Sequence, residues 1–200
     1  MMTITRARPN WIVYIALIGL LIALLALSPA EARLGNVVKL VYAHGAAMRV
    51  ALYAYAIAAA VGIAYLATRR ESLARWARAF QETAIVFWIA HFVVSLPAQQ
   101  LAWGGIAWTE PRVLSAVWIL LLTVFIFGVA RWMGDARAMA SAAIANAMVA
   151  IVLMRGAINV LHPIDPILGS DSIAIKGFYL AIVLTTGILA FQFARDRART

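Results

Sequence analysis

Six long apolar runs dominate this 200-residue sequence. They read as residues 11–27, 41–68, 79–102, 113–130, 138–160 and 173–193. Each is close to the roughly 20 residues that an α-helix needs to cross the hydrocarbon core of a bilayer. Inside that core no water is present to satisfy backbone N–H and C=O groups, so only helices and closed barrels can span it. A barrel would show segments of about ten residues with alternating polarity, which these runs are not. With 65% hydrophobic residues and a mean hydropathy of +0.91, the chain has too little polar surface to wet a soluble domain. The expected fold class is therefore all-α, a polytopic membrane protein with six transmembrane helices.

The charges orient that bundle. The net charge is +9, but the arginines are spread over short connections rather than gathered in one basic patch, so nucleic acid is not the expected partner. Arg6 and Arg8, the group from Arg69 to Arg78, Arg131 with Arg137, and Arg195 to Arg199 all fall on one side of the membrane. Basic residues in short loops are retained in the cytoplasm, so this side is inside and both termini are cytoplasmic. Anionic lipid of the inner leaflet is then the natural counterpart of these arginines. The connections 31–39, 103–112 and 161–172 face outward. Residues 28–32, Ser-Pro-Ala-Glu-Ala, have some character of a signal-peptidase site. The preceding run is long for a signal peptide, and it is read as a retained first span. Nothing resembling a repeat or a linker divides the chain, so residues 1–200 are expected to form a single bundle.

Few residues are equipped for chemistry. There is no cysteine, which excludes disulfides, thiolate metal sites and covalent haem attachment through this chain. Of three histidines, His44 and His162 fall near the outer ends of the second and fifth spans. Two neutral imidazoles at matched depth can ligate one transition metal, and haem iron takes two axial ligands. The plainer reading is that each imidazole hydrogen-bonds at a helix end. Zinc would require further ligands, and Glu110, Asp165 and Asp171 lack any metal-site spacing. Arg49 and Arg155 lie inside apolar runs, where a charge costs about 2.5–3.5 kcal/mol on insertion scales. They either face an anionic partner, such as a haem propionate, or snorkel to lipid phosphate. His91, near the middle of the third span, reads as an interhelical hydrogen-bonding residue or as the ligand of a deeper haem. The outer connection Trp103 to Arg112 carries Trp103, Trp108, Glu110 and Arg112, suited to a lid over a planar ligand or to ordinary interfacial anchoring.

In order and on one side, these pieces resemble the CcmC-like haem-handling membrane proteins of cytochrome c maturation, a group that also includes CcsA. That family places its first outer histidine in a basic-aliphatic-x-Tyr-x-His context, matched by Lys39-Leu40-Val41-Tyr42-Ala43-His44. Its tryptophan-rich loop, WGxWWxWDxR, aligns without a gap on residues 103–112, retaining Trp103, Gly104, Arg112 and a carboxylate as Glu110. Its second outer histidine follows Asn-x-Leu, as in Asn159-Val160-Leu161-His162. The resemblance spans roughly residues 35 to 190. It implies haem b as the cofactor, with His44 and His162 as axial ligands and Arg49, Arg112 and Arg155 as propionate partners. Trp103 and Trp108 would cover the ring.

The implied activity is binding and delivery of haem at the outer face of the bacterial inner membrane, rather than bond-making catalysis. The implied partners, besides lipid, are a haem chaperone, an apocytochrome or other membrane subunits. The departures bear on that activity. Ile106, Ala107 and Thr109 stand where the family has tryptophan, and Ala157 and Ile158 replace the tryptophans before His162. Loss of this aromatic platform favours an alternative, a b-type haem or structural subunit of a respiratory or photosynthetic membrane complex. A small transporter would need a polar midplane pathway, for which His91 alone is thin support.

Overall fold

The computed structural model describes residues 10–161 and 167–199. These residues form α1 (Trp11–Leu27), α2 (Val38–Thr68), α3 (Glu71–Trp103), α4 (Pro111–Met133), α5 (Ala136–Gly156) and α6 (Ile173–Ala198). The all-α membrane fold is present: five of the helices, α2 to α6, are long and apolar enough to cross a bilayer. Helix α1 is equally apolar over 17 residues, about 26 Å at 1.5 Å per residue, the lower limit for a span.

Local chemistry sets most helix ends. Glu110, Asp135 and Ser172 occupy N-cap positions, each accepting from a backbone N–H in the first turn. This satisfies donors that the helix itself leaves open. Gly104 and Gly134 end α3 and α4 with φ of 76° and 66°, a left-handed conformation that glycine adopts without a Cβ penalty. Arg69 ends α2 in the same conformation at φ 59°, so only Arg69 and Arg70 separate α2 from α3.

Several helix bounds differ from those expected, α6 for example running on to Ala198, and two of the differences have clear local causes. Helix α3 starts at Glu71 rather than at residue 79, because Glu71, Leu73, Ala74, Arg75 and Arg78 favour helix whether or not lipid surrounds them. Helix α5 stops at Gly156 rather than continuing to Val160. Gly156 weakens the ladder and Asn159 takes φ 57°, so the chain stays apolar but is no longer helical. The expectation that His162 falls at the outer end of the fifth helical span is thereby corrected. His162 itself, with Asp165, lies outside the described residues.

Helix α2 forms the centre, packing against α3, α5 and α6, while α1 lies at the periphery on α6 and α2 and buries none of its residues. Lipid removes most of the hydrophobic drive between helices, leaving close packing and hydrogen bonds to hold them. Both are visible. A Cβ on Gly62 would stand 3.0 Å from the Ala140 carbonyl oxygen, so α2 and α5 meet backbone to side. The Tyr55 hydroxyl donates to Thr123 Oγ1 at 2.9 Å, Asn146 Nδ2 donates to the Thr123 carbonyl at 3.1 Å, and Trp88 Nε1 donates to the Ala116 carbonyl at 3.0 Å. These bonds tie α2 and α5 to α4, and α3 to α4.

The arginine-rich ends converge. Glu82, 9% exposed, is hydrogen-bonded by Arg197 and lies 4.0 Å from Arg131. The Tyr14 hydroxyl donates to Asp196 at 3.0 Å. One carboxylate thus joins α3, α4 and α6 at the end that the arginine pattern places inside.

Candidate functional site

At the opposite end, Lys39 Nζ donates to the Ala26 carbonyl at 2.7 Å and the Tyr42 hydroxyl to the Pro29 carbonyl at 3.3 Å, fastening the start of α2 to the end of α1. Between them, Glu31 accepts from the backbone N–H groups of Leu34 and Arg33, both at 2.9 Å. Those bonds hold its carboxyl below the usual range.

His44 lies in the second turn of α2 and is half-buried. Its Nδ1 is 2.9 Å from the Leu40 carbonyl oxygen. A carbonyl only accepts, so Nδ1 carries the hydrogen and the neutral ring has its lone pair on Nε2. Metal-ligating histidines are characteristically fixed this way, through a hydrogen bond from the other ring nitrogen.

His91 is 7% exposed, and its Nδ1 donates to the His44 carbonyl at 3.0 Å, an interhelical bond from α3 to α2. The two imidazole centroids are 5.6 Å apart, and the His91 ring also packs on Trp88 at 5.1 Å. The sequence depths had separated these histidines. Counting from the shared turn brings them together: His44 is 25 residues before Arg69 and His91 is 21 after Arg70, and antiparallel neighbours at similar distances from a tight turn meet.

Arg49, a turn and a half deeper on α2, donates from Nε to the Tyr179 hydroxyl at 2.9 Å, with its guanidinium 5.5 Å from the ring centroid. Such cation–π contact is a recognised way to hold a charge in an apolar setting. Tyr179, 3% exposed, packs against Tyr42. Gly45 makes room for it, since a Cβ there would lie 3.0 Å from the Tyr179 hydroxyl. No sequence motif marks Tyr179. Its hydroxyl within an apolar run was the available signal.

Glu110 has two partners. It accepts from Val113 N at 2.9 Å, capping α4, and from Leu161 N at 3.2 Å. The loop carrying Trp103 and Trp108 is thereby joined to the segment leading into His162. Both tryptophans are about half exposed, and Arg112 is half-buried in the first turn of α4. Arg155 is exposed and lines a cleft of about 210 Å³ between α2 and α5 with Tyr55 and Met154. The structure therefore joins His44 to His91, Arg49 to Tyr179, and Glu110 to Leu161, and turns Arg155 toward a cleft of its own. Among the described residues no three His, Asp or Glu side chains gather as a metal-binding group.

No family model and no curated protein matches the chain.

Proposed function

We propose that this is a haem-binding protein of the bacterial cytoplasmic membrane that holds haem b at its outer end for delivery in cytochrome c maturation. The observation that most supports this reading is the Nδ1–H bond from His44 to the Leu40 carbonyl, the kind of bond by which a histidine that ligates through Nε2 would be held. His162 is the second ligand in this reading. Glu110 holds Leu161, the residue before His162 in sequence, through its backbone N–H. His91 contributes by fixing the His44 turn through its carbonyl. Arg49, Arg112 and Arg155 are the propionate partners, with Arg49 oriented by Tyr179. Haem supplies the iron centre, and the protein's own work is to ligate, orient and release it.

Handling differs from permanent retention in how firmly the ring is held, and the exposed Trp103 and Trp108 form a sparse cover. Ile106, Ala107 and Thr109 add no aromatic surface, which favours the second reading, a b-type haem or structural subunit of a larger membrane complex. The two separate on mixing detergent-purified, haem-loaded protein with an apo-globin acceptor. Delivery requires haem to pass to the acceptor. Stoichiometric, redox-active haem that stays behind supports a b-type haem subunit, and failure to take up added haem at all overturns both haem readings and leaves a structural subunit.

A further inference from the structure

At the arginine-rich end, the first turns of α3 and the α4–α5 connection enclose a groove of about 260 Å³. By liquid volume that is room for roughly nine waters, ample for a phosphate and the start of its ester chain. Arg75, Arg78 and Arg131 line it, against the carboxylates of Glu71 and Asp135. Asp135 is turned to its own helix, accepting from Ala138 N at 3.0 Å. Arg78 reaches the Arg197 carbonyl through Nη2 at 3.5 Å, while its Nε is buried with no hydrogen-bond partner among the described residues. Arg131 sits at the 4.0 Å limit from a Glu82 carboxylate already engaged by Arg197. Three arginines thus line one small groove, with Arg131 only loosely held by Glu82.

The level of the groove is fixed by its neighbours. Trp132, 87% exposed, follows Arg131 directly, and exposed tryptophan at a helix end marks the boundary between hydrocarbon and headgroups. The surrounding segments 69–82, 131–137 and 195–199 carry nine arginines against four acids, a field that attracts anions to this face. Guanidinium forks match phosphate oxygens bidentately, and basic pockets between transmembrane helices recognise anionic headgroups.

We propose that this groove binds the phosphate of an anionic phospholipid headgroup. The site is independent of the haem reading and stands or falls separately. It is tested by native mass spectrometry of the full chain released from detergent with phosphatidylglycerol or phosphatidylcholine. Phosphatidylglycerol adducts should be retained preferentially. Arg75→Gln and Arg131→Gln should each weaken that preference about fivefold, the effect of one arginine near an anionic surface. Arg137→Gln, which contributes to the general field but lies outside the groove, should weaken it less than either groove variant. Arg75 is exposed and makes no side-chain hydrogen bond or ion pair among the described residues, so its variant tests the site even where Arg131→Gln disturbs Glu82. Equal retention of the two lipids, or preference unaffected by Arg75→Gln, overturns the proposal. Inorganic phosphate should leave the melting temperature unchanged at concentrations where phosphatidylglycerol raises it. Equal stabilisation by inorganic phosphate would make this a free-anion site and overturn the lipid assignment.

Discussion

Both carboxylate oxygens of Glu110 are engaged, in a side chain only 3% exposed: one caps α4 and the other holds Leu161. Glu110→Ala removes a cap and leaves the Leu161 N–H without its acceptor, a loss of about 2 kcal/mol. Glu110→Gln retains one acceptor oxygen and should fall between. Thermal melts in detergent measure the order, and an alanine variant as stable as the parent would show that neither bond matters. The capping role went unread, although a carboxylate before Pro111 fits a helix start with proline at the first position. The bond to Leu161 was not legible, because it joins residues 51 positions apart. Tyr179 was equally hidden, as one tyrosine in an apolar run does not reveal that Arg49 faces it.

Helix packing rests on small residues that allow close approach. At Gly62 the neighbour is the Ala140 backbone, which cannot rotate aside, so Gly62→Ala should cost about 1–3 kcal/mol as an overpacked site. Gly128→Ala, with open space around its Cβ position, is the control. Equal melting of the two variants would refute close α2–α5 packing. The six apolar runs themselves were legible because hydrocarbon thickness dictates their length. Their ends were less so: hydropathy reports where lipid is, whereas Glu71 and Gly156 report where the hydrogen-bond ladder begins and stops. The meeting of His44 and His91 could have been found by measuring from the Arg69–Arg70 turn.

For the molecule as a whole, a chain without cysteine lets its orientation be read with single introduced thiols. Gly105→Cys should react with an impermeant maleimide added outside intact cells, and Arg137→Cys only after the membrane is opened. The reverse pattern would invert the bundle and move the histidine end to the cytoplasm. The two ends of the molecule differ in kind: one gathers arginines around Glu82, the other gathers His44, His91, Arg49 and the loop held by Glu110. That the second end ligates haem is tested most directly by absorption spectra of purified protein with His44→Ala and His162→Ala made separately. The expected result is loss of bound haem, or a shifted Soret band, in each variant. Haem content and spectrum unchanged in both would contradict axial ligation by these histidines.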